Sequence, residues 1–160
     1  IPFVTIAALN DGPVESTQRN LTEAGAEQIG RLAPKDSVLL SMYGTIGKTG
    51  LARSAVATNQ AIAWLECDAS VCLPEFVFAW LGARSDLFDA MGRGATQRNI
   101  NREMIRNTPI LLPPLGAQRQ IVNALSSFRS LDRAVIEAQS SLSDLRSRVL
   151  DERVGGTNVL

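Results

Sequence analysis

The amino-acid sequence predicts an α+β fold, in which a mixed or antiparallel sheet with short helices precedes one long C-terminal coiled-coil helix. Short apolar runs alternate with clusters of Gly, Pro, Asn and Asp over the first 65 residues, which is typical of strands joined by turns. The apolar period becomes helical after Pro74. Residues 117–153 contain neither Pro nor Gly. We therefore expect a domain over residues 1–115, a helix over 116–154 and a tail over 155–160.

The strands are predicted from apolar and β-branched runs and from the turns that bound them. The first run stops at the Asn-Asp-Gly-Pro turn of residues 10–13, and the glycine-rich loop of residues 44–50 separates the second run from the third. A Pro-Pro pair closes the last run. The predicted strands are residues 1–9, 37–43, 51–56, 61–65 and 108–112.

The short helices are predicted from spacing and from capping residues. Residues 22–32 have the composition of a short helix or a loop. Residues 74–89 place apolar side chains at helical spacing, with Pro74 suited to the first turn and Gly92 to the end. Asn99 or Asn101 could cap a further helix that begins near residue 102.

The long helix carries one apolar stripe, which forms a heptad seam with a stammer near Phe128. Such a helix either folds back on its own domain or pairs with another helix as a coiled-coil arm, and its length of about 55 Å favours the second alternative. The positions of the stripe are Ile121, Leu125, Phe128, Leu131, Val135, Ala138, Leu142, Leu145 and Val149.

Composition excludes several classes of function. The chain has no histidine, which excludes His-based acid–base catalysis, Ser-His-Asp triads and His metal ligands. Cys67 and Cys72 are the only cysteines, and without a second pair they predict thiols of a cytoplasmic protein, neither a metal site nor a redox site. No apolar stretch approaches the roughly 20 residues of a membrane span.

The overall charge is zero, but its sign changes along the chain. Residues 1–92 carry six basic and ten acidic residues, a net charge of −4, whereas residues 93–119 carry five basic and one acidic, a net charge of +4. The basic segment is compatible with phosphate contacts and equally with a solvated, arginine-rich surface.

Two segments are candidates for ligand contacts. The loop of residues 44–49 (GTIGKT) looks like a phosphate loop, but Met42 occupies the position of the required first glycine, so a strand–loop–strand hairpin fits better and we expect no cofactor. Residues 93–106 (RGATQRNINREMIR) combine the side chains that read base edges and contact phosphates. Helix capping by the asparagines is the structural alternative for that segment.

The order of several motifs resembles the DNA-specificity subunit of type I restriction-modification systems. A Pro-Pro-Leu-x-x-Gln-x-x-Ile-Val sequence opens the long helix, although Ala117 stands where the family commonly has Glu. The matching segments are residues 1–4 (IPFV), 34–41 (PKDSVLLS), 44–48 (GTIGK), 57–61 (ATNQA), 94–100 (GATQRNI) and 112–122 (LPPLGAQRQIV).

The resemblance implies a non-catalytic target-recognition domain followed by a spacer helix. It implies double-stranded DNA, methyltransferase (modification) subunits and endonuclease subunits as partners. Asn59 and Gln60 have a structural alternative, because such a pair can satisfy backbone groups before a buried strand. The residues expected to face DNA are Tyr43, Thr45, Lys48, Asn59, Gln60, Arg93, Thr96, Gln97, Arg98, Asn101 and Arg102.

Only one recognition domain and one helix are present, and the family's domain usually begins about 40 residues earlier. The sequence therefore predicts either a piece of a longer chain or a half-subunit that forms a homodimer through its helix. Two other functions stay open. One is the recognition domain of a fused restriction-methylation enzyme, and the other is a coiled-coil scaffold for protein assembly.

Overall fold

The computed structural model describes residues 1–92 and 98–155, with side chains up to residue 147. The chain forms two compact units, residues 1–120 and 121–160. The strands are β1 (Phe3–Val4), β2 (Gly12–Val14), β3 (Val38–Ser41), β4 (Thr49–Ala52), β5 (Ala57–Thr58) and β6 (Ile62–Leu65). The helices are α1 (Glu23–Ile29), α2 (Pro74–Gly82), α3 (Ser85–Met91), α4 (Arg102–Arg106) and α5 (Leu115–Gly155), with a 3₁₀ turn at Ile6–Ala8.

The main sheet is mixed, which confirms the α+β prediction. Its strand order is β2-β4-β3-β6, and the central strand β3 runs antiparallel to both of its neighbours. Strand β2 pairs with β4 in parallel, and β1 and β5 form a separate parallel pair. Pro13 is tolerated in β2 because that strand lies at the edge of the sheet.

Apolar clusters cover both faces of β3, which explains why three successive residues of this strand, 38–40, are apolar. Val38 and Leu40 pack on one face in a cluster with Val77 and Phe88 from the helices. Leu39, between them, packs on the other face with residues of the N-terminal segment, β4 and β6. All four residues of β3 are buried, so this strand is the centre of the core.

The first unit departs from the sequence prediction at its N-terminus and at the segment before α5. Residues 1–9 are not one strand, because the amides of Ala8 and Leu9 bond back to Thr5 and Ile6 and bury Leu9 through a tight turn. Residues 108–112 form no strand, and Leu111 is 86% exposed.

Two short strands and one helix break were also not predicted. Strands β2 and β5 have only three and two residues, and their pairing partners lie far along the chain. The helix predicted over residues 74–89 is two helices, α2 and α3, separated at Ala83 and Arg84. Arg84 leaves helical geometry there, and its guanidinium stacks on Trp80 at 4.1 Å from the ring centroid.

The first turn of α5 is tied to the domain by a fully buried glutamine. Gln118 Oε1 accepts a hydrogen bond from the amide of Leu73 at 2.8 Å. Its Nε2 donates to the carbonyl oxygens of Val71 and Pro113 at 2.9 and 2.8 Å. One side chain therefore holds together the loop before α2, the Pro-Pro segment and the start of α5.

The described side chains of α5 leave the predicted apolar stripe exposed. Phe128 and Leu142 are each 67% exposed, and Leu131 is 61% exposed. Ile121, Leu125, Val135, Ala138 and Leu145 are exposed as well. Val149 belongs to the predicted stripe, but its side chain lies outside the described residues.

Candidate nucleic-acid interface

Three chain segments meet at one end of the main sheet. The Met42 amide, just beyond β3, donates to the carbonyl oxygen of Ala61 at 2.8 Å. The Ile100 amide donates to the carbonyl oxygen of Met42 at 3.0 Å, and Tyr43 and Asn99 form an isolated antiparallel bridge. We call the surface formed by residues 43–48, 58–60 and 98–102 the sheet-end surface. It brings together all the predicted DNA-facing residues that the structure describes.

The loop of residues 44–48 is shaped by the buried hydroxyl of Ser41. This hydroxyl donates to the carbonyl oxygen of Thr45 and accepts a hydrogen bond from the amide of Lys48 at 2.9 Å. Gly44 and Gly47 both have a positive φ, of 66° and 86°. A Cβ on Gly47 would lie 3.0 Å from the carbonyl oxygen of Ser85, so the loop also packs against the start of α3.

The loop connects β3 to the antiparallel strand β4, so the predicted hairpin is confirmed. A phosphate loop would instead lead from a strand into a helix. Asp11, with a φ of 56°, fixes the first residue of β4, because its Oδ1 accepts from the amide and the hydroxyl of Thr49 at 2.8 and 3.0 Å. The glycines of this loop therefore serve the turn and its packing.

The side chains of the sheet-end surface differ in their exposure and in their hydrogen bonds within the fold. Tyr43, Thr45, Gln60 and Arg102 are exposed, and Lys48 is half-buried. No hydrogen bond from the side chain of Gln60 occurs within the described residues. Its amide can therefore both donate to and accept from a ligand.

Two asparagines of this surface take the structural role that the sequence left open for them. Asn59 Oδ1 accepts a hydrogen bond from the amide of Ala61 at 3.2 Å, just before β6. Asn101 Oδ1 accepts from the amide of Met104 at 2.9 Å and caps α4. Both oxygens are thus engaged within the fold, and the side-chain amide nitrogens are the groups left to contact a ligand.

The electrostatics of the surface are mixed. Arg98 forms an ion pair with Asp89 at 3.2 Å and also donates to the carbonyl oxygen of that residue. Lys48 lines an open depression of about 500 Å³ together with Asp86 and Asp89. Arg102 is exposed and has no ion pair within the described part of the chain. Arg102 is therefore the cation most available to a phosphate.

Three of the predicted DNA-facing residues, Arg93, Thr96 and Gln97, lie outside the described residues. The residues that sequence reasoning missed are Ser41, Asp11 and Gln118, which shape the surface or anchor α5. Ser41 and Gln118 are buried, whereas Asp11 is exposed. Gln118 and Ser41 had a signal, because they stand in the motifs of residues 112–122 and 34–41, but neither was singled out.

Within residues 1–92 and 98–155, no three His, Cys, Asp or Glu side chains are grouped so that they could hold a metal ion. In the same part of the chain, no helix combines the length and apolarity that crossing a bilayer requires. Cys67 and Cys72 are free thiols. Burial, followed by the neighbouring Cys72, raises the pKa of the Cys67 thiol to about 12.

Comparison with protein families gives one match that covers most of the chain. Residues 1–140 match the family model described as the type I restriction modification DNA specificity domain. The EcoBI specificity subunit of a type I restriction enzyme from Escherichia coli is 21% identical over 166 residues, covering 98% of this chain. A putative type I restriction enzyme specificity subunit from Haemophilus influenzae is 22% identical over 139 residues, covering 86% of this chain. The chain spans only 35% of the length of each of these two relatives.

Solved structures share the same fold. The HsdS subunit of Thermoanaerobacter tengcongensis matches 94% of this chain with a TM-score of 0.67 and 22% identity. A structure described as the basis of complex assembly and conformational transition of the type I R-M system matches 94% with a TM-score of 0.68 and 24% identity. This chain covers 36% and 37% of those two chains.

Proposed function

Because the chain belongs to the type I restriction modification DNA specificity domain family, we propose that its sheet-end surface binds duplex DNA and reads the sequence. The observation that carries the proposal is the convergence of three segments on this surface. Together they carry an exposed amide, a phenol, a hydroxyl and a guanidinium that has no ion pair within the described residues. These are the groups that contact base edges and phosphates.

Each exposed group has a role in this proposal. Gln60 reads a base edge, because an amide offers a donor and an acceptor in the bidentate pattern that adenine presents. Arg102 and Lys48 contact phosphates, and Tyr43 and Thr45 contribute hydroxyls. The amide nitrogens of Asn59 and Asn101 contact acceptors on the DNA. Arg93, Thr96, Gln97 and Arg98 also contact DNA in this proposal, on the strength of the family motif.

The chain acts, in this proposal, as the non-catalytic recognition component of a larger complex. Methyltransferase subunits and endonuclease subunits supply the chemistry at the site that the chain selects. The names of the two curated relatives, both specificity subunits of type I restriction enzymes, support this role. A cytoplasmic location is part of the proposal and is supported by the two unpaired thiols.

Helix α5 is the proposed assembly element. Its exposed apolar stripe is suited to pairing with another helix, and we propose that two copies of the chain pair through it. A dimer of this kind presents two copies of the sheet-end surface, so the expected target is a split site with two related halves.

The test is DNA binding by the purified chain. A duplex target is first selected from a randomised library, and its affinity is then measured by fluorescence anisotropy at fixed salt. Gln60→Ala is expected to lower affinity for the selected target about tenfold or more, because a bidentate base contact contributes about 1–3 kcal/mol. Gln28→Ala, on the exposed face of α1, is the matched control and should bind as the parent chain does.

Two results would contradict the proposal. Failure of the library to yield any enriched sequence would exclude sequence reading by this chain. Equal affinities for the Gln60→Ala and parent chains, together with an unchanged target, would remove Gln60 from the reading surface. A folded chain that forms dimers and binds no DNA at low salt would favour the scaffold function.

A further inference from the structure

The arginines that the structure describes within residues 1–120 fall into two groups. One group has a partner in the fold, either a carboxylate or an aromatic ring, and consists of Arg19, Arg31, Arg53, Arg84 and Arg98. The other group is exposed and consists of Arg102, Arg106 and Arg119. Within the described residues these three have no ion pair, aromatic contact or side-chain hydrogen bond. Their guanidinium groups are therefore available to a ligand.

Two of these available arginines share one face of α4. Arg102 and Arg106 are four residues apart, which places them on successive turns about 6 Å apart along the helix axis. Ile105 is buried and fixes the face of α4 that packs on the domain. Both arginines lie on the same side of Ile105, at about 60° and 100° around the helix. We call Arg102 and Arg106 the α4 pair.

The α4 pair is not neutralised by the helix that carries it. Glu103 is the only acidic residue of the segment 93–119, and it forms no ion pair within the described part of the chain. It lies about 60–100° further around the helix than the arginines. There it lines a separate depression with Met104 and Asn107. The α4 pair therefore presents two positive charges on one exposed face.

The stability of α4 does not explain this arrangement. Two like charges at a spacing of four residues destabilise a helix. Arg102 is also the first residue of α4, where the helix dipole disfavours a positive charge. Arg106 alone is placed favourably, in the last turn. A negatively charged ligand that bridges the two turns would remove the repulsion.

Helix α4 begins directly at the sheet-end surface and is fixed to it. The Ile100 amide donates to the carbonyl oxygen of Met42, and Asn101 caps the helix through the amide of Met104. At the other end, the hydroxyl of Thr108 donates to the carbonyl oxygen of Met104 at 2.8 Å. Arg106 consequently lies one turn beyond the edge of the surface that we propose to bind DNA.

We propose that one strand of the bound duplex runs along α4 and that Arg106, together with Arg102, contacts two of its phosphates. Phosphates of one strand follow each other at about 3.4 Å along the duplex axis, so a separation of about 6 Å spans two such steps at most. A guanidinium is suited to phosphate, because its donors match two oxygens at once. This inference rests on the proposed DNA binding and adds the path of the backbone.

The first test is the salt dependence of DNA binding, because each phosphate contact releases counterions. Arg106→Gln should make the slope of log affinity against log salt concentration less steep by about one. It should weaken binding to the selected target and to a scrambled duplex by the same factor, about three- to tenfold at low salt. Arg106→Lys keeps the charge and should keep the slope of the parent chain.

Arg119→Gln is the matched control, because it removes the same charge from another exposed arginine of the first unit. Its slope should equal that of the parent chain. Equal reductions in slope for Arg119→Gln and Arg106→Gln would indicate a diffuse attraction and overturn the path along α4. A slope for Arg106→Gln that matches the parent chain would overturn it as well.

The second test locates the contacts on the DNA. Single phosphates of the selected duplex are replaced one at a time by neutral methylphosphonates, and the affinity of each duplex is measured. The phosphate that Arg106 contacts should weaken binding to the parent chain when neutralised and have no effect on Arg106→Gln. A second phosphate, on the same strand and at most two steps away, should behave likewise with Arg102→Gln. Equal sensitivity of the variants and the parent chain at every position would overturn the proposal.

Failure of this inference and failure of the DNA-reading function give different results. If no sequence is enriched from the library but Arg106→Gln still lowers the salt slope on random duplex, the reading function fails and the path along α4 stands. If Gln60→Ala weakens binding to the selected target alone and Arg106→Gln binds as the parent chain does, the reading function stands and the path fails.

Discussion

The buried hydroxyl of Ser41 donates a hydrogen bond to the carbonyl oxygen of Thr45, four residues further along the chain. The hydroxyl oxygen of Ser41 also accepts a hydrogen bond from the amide of Lys48, so one side chain inside the sheet closes the whole loop of the sheet-end surface. The loop that we propose to face DNA is thus shaped from within the domain.

Replacing Ser41 should therefore cost stability, whereas replacing Ser37 in the same region should not. Ser41→Ala leaves the Lys48 amide without its partner, and we expect a loss of about 1–3 kcal/mol in the free energy of unfolding by urea. Ser37 is the matched control, because its buried hydroxyl has no hydrogen-bond partner among the described residues, and Ser37→Ala should be neutral or stabilising. Equal losses for the two variants would contradict the role given to Ser41.

Gln118 should be among the most sensitive polar positions of the chain. Gln118→Ala removes three hydrogen bonds and leaves a cavity, so we expect the free energy of unfolding to fall by about 2–4 kcal/mol. Gln118→Glu keeps an acceptor for the Leu73 amide but places a carboxylate oxygen against two carbonyl oxygens. Its free energy of unfolding at neutral pH should therefore be no higher than that of Gln118→Ala. Gln120→Ala changes an exposed residue two positions further along the helix and is the control in the same urea titrations. Its free energy of unfolding should equal that of the parent chain.

Removing an acidic charge beside the surface should strengthen DNA binding. Asp89 pairs with Arg98 and lines the same depression as Lys48. Asp89→Asn therefore removes the carboxylate that neutralises Arg98 and that would repel a phosphate near Lys48. We expect a gain of roughly two- to fivefold in affinity at low salt, which is the size of an exposed ion-pair effect. Asp144→Asn on α5 makes the same change in net charge and should have a smaller effect. Weaker binding by Asp89→Asn would place the DNA elsewhere.

The Cys67 thiol should react slowly in the folded chain. Thiol alkylation proceeds through the thiolate, and a pKa of about 12 leaves very little thiolate at pH 8. An exposed cysteine introduced at Ser140 has an ordinary pKa and should react roughly a thousand times faster with iodoacetamide under the same conditions. Raising the pH should speed the Cys67 reaction across the whole range up to pH 11. Unfolding in urea should remove the difference between the two sites.

The sequence predicted those parts of the fold that local pattern decides. Strand β3 was found because it is apolar on both faces, and α5 because its stripe repeats over many turns. Strands β2 and β5 were missed, since two or three residues carry no period and their pairing is decided by distant partners. The strand predicted over residues 108–112 was wrong, because an apolar run does not by itself supply a pairing edge.

The sheet-end surface was partly predictable for the same reason. Exposed residues such as Gln60 and Arg102 could be named from composition and from the family motifs. Ser41 and Asp11 could not, because their function depends on a backbone group that only the folded loop brings near. Asn101 shows what sequence pattern alone does not decide. Its side chain was compatible with both a helix cap and a DNA contact, and in the structure its oxygen is engaged in the cap.

If α5 pairs as we propose, its exposed stripe also makes the chain dependent on the supply of its partner. A single copy that leaves Phe128, Leu131 and Leu142 in water is a substrate for chaperones and proteases and is prone to aggregate. Pairing hides these side chains, so paired chains outlast unpaired ones. The cellular abundance of the chain should therefore rise more steeply than its rate of synthesis. Substitutions in the stripe should lower the amount of protein in the cell before they alter the DNA sequence that the protein binds.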